Sequence, residues 1–244
     1  MSDIRGKKSG IISEYCDNLF FKADSSDKLL VFLPSVNGKG VYPYYPRVSW
    51  SGELSENYNV LYLSDPYQPL SKYDEPMGSW FVSPDGISTL EVLSDKIKKL
   101  AGEIKASNIV FYGSSMGGYA AIILSSLVKG AKSVAECPQL YLNKHPGSRY
   151  VCENILSEEV CVNSVEPLYY IKTSPPKHIR LVCSVFDRHY SHHVLPFIKD
   201  VANVSEEASF SVVLQAYISS EYKKGHVAMN KKDAVKVIDE VFCL

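Results

Sequence analysis

Three side chains in this 244-residue chain have the types needed to move an acyl group: Ser115, Asp187 and His226. A serine hydroxyl is a poor nucleophile at neutral pH and needs a base within hydrogen-bond reach. An imidazole titrates near neutrality, so it can take the proton and later return it. A carboxylate behind the imidazole fixes its tautomer and stabilises the imidazolium. Ser115 stands in Gly113-Ser114-Ser115-Met116-Gly117, between the apolar run Ile109–Tyr112 and the small residues Gly118, Ala120 and Ala121. That context predicts a strand, a tight turn and a helix packed close to the sheet. Gly113 and Gly117 keep Cβ atoms out of the crowded turn, which lifts Ser115 above the strand end with a helix N-terminus beneath its oxygen.

Each of these residues has competitors. Glu136 and Asp65 also fall at predicted strand ends and rival Asp187 for the acid role, and Asp187 itself also reads as a helix cap or turn residue. His226 follows Lys223-Lys224-Gly225, which suits an exposed loop histidine as well as a base. His189, His192 and His193 form a His-x-x-His-His group, but no matching carboxylate or cysteine spacing accompanies it, so no metal is expected. Cys137 follows a predicted strand without any elbow-like surroundings and reads as a buried, inert thiol. Among the aromatics, Tyr42, Tyr45 and Trp80 are candidate substrate contacts. For the aromatics at 42–50, stacking on sugar rings or acyl groups and packing within a surface loop are both open, and the loops at 42–50 and 67–81, the second holding Trp80, are expected to surround the mouth of the site.

The elements that must position these groups alternate in type. Ile11–Cys16 and Leu19–Ala23 read as two short strands with Asp17-Asn18 as a hairpin turn. Leu29–Leu33 and Asn59–Leu63 are apolar throughout and read as buried strands, as do Ser133–Glu136, Ile179–Phe186 and Ser209–Leu214. Residues 67–85 form a long irregular stretch of the kind that is usually functional or lid-like. Ser88-x-x-Glu91 resembles a capping box ahead of a helix carrying Leu90, Leu93, Ile97, Leu100 and Ile104. Helical spacing returns at Val194, Phe197, Ile198 and Val201, and a last helix is predicted over 231–242 with Asn230 as its cap. Residues 139–176 show no strong period and read as a cap insertion. Strands alternating with helices predict an α/β fold, a mostly parallel twisted sheet covered on both faces.

Composition sets wider bounds. With 45% hydrophobic residues and no linker or repeat, the chain suits a single domain over residues 1–244. A net charge of −1 gives no electrostatic case for nucleic acid. No apolar run is long enough to span a membrane. The first nine residues lack the apolar core of a signal peptide, and the six cysteines are scattered, so a reduced, cytoplasmic setting is expected. A leaderless secretion route stays open, and nothing in the sequence speaks to oligomeric state.

The order Ser115, Asp187, His226, with 72 residues in the first interval and 39 in the second, resembles the α/β-hydrolase superfamily over nearly the whole chain. The pieces Leu63-Ser64-Asp65-Pro66 and Gly78-Ser79-Trp80 are further similar to small hydrolases encoded beside bacterial surface-polysaccharide genes. The resemblance implies a serine esterase working through an acyl-enzyme on Ser115 without metal or organic cofactor. It also implies Asp187 as the acid, because that superfamily usually takes its acid after the strand before the last. An oxyanion hole would combine the N–H of Met116 with one from Ser35 or Val36, in a loop that lacks the usual His-Gly pair. The expected partner is a small-molecule or carbohydrate-linked acyl ester, with short acyl groups favoured. Acyl transfer or thioester cleavage on the same three residues, and a non-catalytic protein retaining the fold, are the alternatives.

Overall fold

The computed structural model describes residues 6–204, 210–218 and 224–244. Among them, seven strands form one sheet in the spatial order β1-β3-β2-β4-β5-β6-β7. The strands are β1 (Asn18–Phe21), β2 (Lys28–Leu33), β3 (Asn59–Leu63), β4 (Asn108–Ser114), β5 (Lys132–Glu136), β6 (His178–Ser184) and β7 (Ser211–Tyr217). Only β1 runs antiparallel, against β3, and every other neighbouring pair is parallel. The central strands are buried on both faces, which is why they read as continuous apolar runs.

Period two divides the core. Leu29, Val31 and Leu33 of β2 join the cluster beneath α3 (Leu90–Glu103) and α4 (Met116–Leu127). Leu30 and Phe32 of the same strand face α8 (Lys231–Phe242) on the other side, with Val237, Ile238 and Val241. A third cluster joins Ile179 and Leu181 of β6 to Phe197 and Val201 of α7 (Leu195–Ala202). Burying one such side chain contributes on the order of 1.5–3 kcal/mol, so these layers fix the sheet to which the site is attached.

Two local expectations are corrected. The predicted hairpin over 11–23 is instead a short helix, α1 (Gly10–Ser13), followed by β1 alone. Asn18 does not form a turn: its carboxamide oxygen accepts the Ser9 N–H at 2.8 Å, and its nitrogen donates to the Ser13 hydroxyl at 3.0 Å. Those bonds fold the segment back over β1, whose ladder partner is the distant β3 and whose Phe20 also forms a single antiparallel bridge with Lys7. The predicted capping box is also absent, since α3 takes Thr89 at its N-cap and the Thr89 hydroxyl donates to the Phe81 carbonyl. At the other end of the chain Asn230 does cap α8, accepting the Asp233 N–H at 3.0 Å. The predicted start of the last strand, Ser209, lies outside the described residues. Residues 139–176 carry α5 (Pro146–Asn154) and α6 (Pro167–Thr173), each opening on proline, with single 3₁₀ turns at Leu142–Lys144 and Val162–Val165.

Candidate active site

Ser115 sits between β4 and α4 with φ 57° and ψ −117°, a conformation that a non-glycine residue adopts only when its surroundings impose it. The surroundings here are backbone. A Cβ on Gly113 would lie 2.1 Å from the Gly117 carbonyl oxygen, and one on Gly117 would lie 2.8 Å from that of Leu33. Neither position admits a larger residue without opening the turn. The Ser115 N–H donates to the Glu136 carbonyl at 2.9 Å, and its own carbonyl accepts from Gly118 at 3.1 Å and Gln139 at 3.3 Å. Ser115 is 5% exposed. Met116 opens α4, so its N–H is one of the first-turn donors that no helical carbonyl reaches.

The structure brings Asp187 and His226 together. His226 Nδ1 lies 2.6 Å from Asp187 Oδ2, and the ionised carboxylate can only accept, so the ring donates from Nδ1 and Nε2 is left as the acceptor. The other carboxylate oxygen accepts the His189 N–H at 2.8 Å. Burial raises the Asp187 carboxyl, but the His226 and His189 hydrogen bonds outweigh it and hold the group down at about 2. The same hydrogen bond pushes the His226 imidazole above its ordinary value against the opposing effect of burial. Asp187 is buried, while the His226 side chain is 49% exposed, which leaves the imidazole open to water and to a ligand.

The rival acids are engaged elsewhere. Asp65 accepts the Ser79 N–H at 3.0 Å, its hydroxyl at 2.6 Å and the Tyr67 N–H at 3.0 Å, so it ties down the 65–79 loop. Glu136 pairs with Arg47, accepts the Tyr112 hydroxyl at 2.9 Å and takes the Met229 N–H. The Arg47 guanidinium stacks over Trp50 at 4.5 Å and Tyr112 at 5.0 Å. Glu136 thus anchors residues just after His226 through its side chain and Ser115 through its carbonyl.

Around the Asp187–His226 pair the structure gathers His189 and His193 of the spaced histidine group together with His145 from a distant segment. The His189 ring meets His226 edge-on at 4.7 Å, His193 at 5.0 Å and His145, from the start of α5, at 5.5 Å. His193 Nδ1 accepts the N–H groups of Leu140 and Tyr141, which requires a neutral ring. Burial lowers His193 to about 3 and His145 to about 4. His192 turns away, is exposed and bonds the Arg188 carbonyl, so the three histidines do not converge as a metal set would. Cys137, Asp187 and His226 have donor atoms within 4.8 Å of one another. The Cys137 thiol, however, is held protonated by its hydrogen bond with Cys183 and by burial, and the other two residues bond each other.

The loop carrying Ser35 and Val36 follows β2 and borders the elbow. Val36 and the Met116 sulfur both crowd Gly78, and the Ser35 carbonyl accepts from Gln68 at 3.3 Å. Trp80, a candidate substrate contact, does not reach the surface. It is fully buried, donates its indole N–H to Gln139 at 3.0 Å and packs near His145. Tyr42 is partly exposed beside the 34–38 loop, its hydroxyl 3.4 Å from the Asn37 carbonyl, and Tyr45 packs on the cluster beneath α8.

The sheet order, the elbow and the positions of Asp187 and His226 define the α/β-hydrolase fold. Among solved structures, the capsule O-acetyltransferase of Neisseria meningitidis serogroup A superposes with a TM-score of 0.68 at 16% identity, over 94% of this chain and 91% of that one. The S-formylglutathione hydrolase from Agrobacterium tumefaciens gives 0.64 at 12% identity, over 97% and 94%. An esterase from the Planctomycetes species Thermogutta terrifontis gives 0.64 at 10% identity, over 97% and 91%. At these identities the likeness is one of fold. No family model matches the chain. No curated protein matches it either. None of the described helices is long and apolar enough to cross a membrane.

Proposed function

We propose that this protein is a serine hydrolase that cleaves a carboxylic ester through an acyl-enzyme on Ser115. The carrying observation is the Asp187–His226 hydrogen bond, set at the same sheet end as a serine held at φ 57° on a strand-to-helix turn. In this reading His226 Nε2 takes the Ser115 proton as Oγ attacks the ester carbonyl, and Asp187 stabilises the imidazolium. The Met116 N–H, with that of Ser35 or Val36, receives the charge on the carbonyl oxygen. His226 then protonates the departing alkoxide, and water, deprotonated by the same imidazole, releases the acid. Removal of one oxyanion donor from such a site costs on the order of 10²–10³ in turnover.

The substrate reading is a short acyl ester, with an O-acetyl group on a carbohydrate as the particular candidate. The 139–176 insertion contributes two short helices of nine and seven residues, which is little surface for a lipid-covering lid. Tyr42 stands partly exposed near the 34–38 loop as a contact. A second reading, acyl transfer to an alcohol in place of water, is favoured by the likeness to a capsule O-acetyltransferase, a mutant of which has been solved in complex with CoA. The reaction is read as cytoplasmic and confined to the single domain.

Labelling with a fluorophosphonate probe, with the adduct located by mass, tests the nucleophile without knowledge of the substrate. Label on Ser115 that is lost in Ser115→Ala is expected; label on Ser114 would overturn the assignment. A p-nitrophenyl ester series should favour acetate and butyrate. Activity that rises steadily beyond about eight carbons would point to a lipase or long-chain thioesterase. Acetyl-CoA consumption that requires a sugar acceptor would select the transferase reading.

A further inference from the structure

We infer that His189 is a positioning residue for the Asp187–His226 pair, clamping both members through its backbone N–H and its ring. This inference rests on the proposed catalytic roles of Ser115, Asp187 and His226. Its geometry has three parts. The His189 N–H donates to Asp187 Oδ1 at 2.8 Å, opposite the oxygen that holds His226. The His189 ring stands against the His226 ring at 4.7 Å, with the two planes at 68°. The ring is itself pinned, because its Nδ1 lies 2.8 Å from the Cys137 carbonyl, which can only accept. The proton therefore sits on Nδ1, and the ring cannot turn without stranding a buried carbonyl.

The clamp matters because the His226 ring is open to solvent on its other side. His226 is half exposed on the loop before α8, and its Nδ1 bond to Asp187 leaves rotation about that bond free. A ring packed edge-on against the imidazole removes that freedom and holds Nε2 in one direction. A misplacement of about 1 Å in such a group costs up to about 100-fold in rate. His189 is in turn backed by His193 at 5.0 Å and His145 at 5.5 Å, so β5, the turn before α7, and α5 all meet at this ring. The titratable groups facing it are Asp187 and His193 from its own segment, Cys137 from the end of β5, His145 from α5 and His226 from the last loop, while His192 turns away and acts on it only through its charge. Burial keeps the His189 ring neutral beside the imidazolium that the reaction forms.

Three variants of the intact chain test the inference: His189→Ala removes the ring contact and the pin while keeping the N–H bond to Asp187, His189→Asn keeps a donor close to the Nδ1 position without the ring, and His189→Phe keeps a ring without the pin. Assayed on p-nitrophenyl acetate, His189→Ala should lower kcat about 10- to 100-fold with KM within about twofold. Its acid limb in kcat/KM should move to higher pH, because water reaching His226 favours the charged form. His189→Phe, which keeps a ring against His226, should recover part of the loss, and more of it than His189→Asn. An unchanged kcat and an unmoved acid limb in folded His189→Ala would overturn the inference. Should His189→Ala not fold, an unmoved kcat and limb in both His189→Asn and His189→Phe would do so. Failure of the catalytic reading shows separately, as full turnover in Ser115→Ala or His226→Ala.

Discussion

Glu136 accepts the Ser115 N–H on its backbone carbonyl at 2.9 Å while its carboxylate takes the N–H of Met229, three residues beyond His226. One residue at the end of β5 therefore holds the backbone beneath the serine and the backbone behind the histidine. Its carboxylate is 1% exposed and paired with Arg47, itself 11% exposed. Glu136→Gln should leave that guanidinium buried without a counter-charge and destabilise the fold by about 3–5 kcal/mol. Urea unfolding would measure it, and turnover should fall as well, since the anchor of the His226 loop weakens. A loss under about 1 kcal/mol would show that the pair is solvated rather than buried.

Asp187→Asn should lower kcat by about 10⁴ with the fold intact. The His189 N–H requires an acceptor, so the carboxamide oxygen must turn to it and the NH₂ must face His226. His226 would then hold its lone pair on Nδ1 and its proton on Nε2, the wrong tautomer for a base. Steady-state kinetics beside a circular dichroism spectrum decides this, and an active Asp187→Asn would remove Asp187 from the mechanism.

The acid limb of kcat/KM should lie above the ordinary histidine value. Asp187 raises the His226 pKa, and the base works only when neutral, so activity is present at higher pH and lost as pH falls through that raised value. A pH profile with a short-chain ester measures it. A limb below about pH 6 would mean that another group is the base.

Stability should fall on mild acidification. Burial lowers His145 and His178 to about 4, His193 to about 3, and His189 as well, so these rings stay neutral in the fold while the unfolded chain takes up protons below about 6.5. Their contribution is complete above that pH and is lost on descent toward the folded values. Among the histidines His226, raised, works in the opposite direction but is one against four. The urea midpoint should therefore drop between pH 7 and pH 5, and His193→Gln should flatten the slope. A midpoint that rose on acidification would contradict the neutral assignments.

Much of this arrangement could be read from the chain before folding. Strands with both faces buried are apolar throughout, so β2, β3 and β5 announced themselves within a residue or so of their ends. The Gly-x-Ser-x-Gly turn was legible because its glycines answer a local steric demand, and Asn230 because a cap bonds a residue three positions away. The run Ile11–Cys16 misled because a few apolar residues fit a strand or a helical turn equally well, and the choice fell to Asn18 reaching back to Ser9.

Only the tertiary structure decided which partner each polar group meets. Asp65, Glu136 and Asp187 are alike in sequence, each an acid at a strand end, and what separates them is that one faces Ser79, one Arg47 and one His226. Trp80 reads by sequence as a contact at the mouth of the site, and the 65–79 loop, tied to Asp65, carries it into the core instead. His189 belonged by spacing to a cluster with His192 and by contact to His226, 37 positions away. Hydrogen bonds and ring contacts between distant segments depend on where the sheet brings its loops, and no periodicity within a segment encodes that.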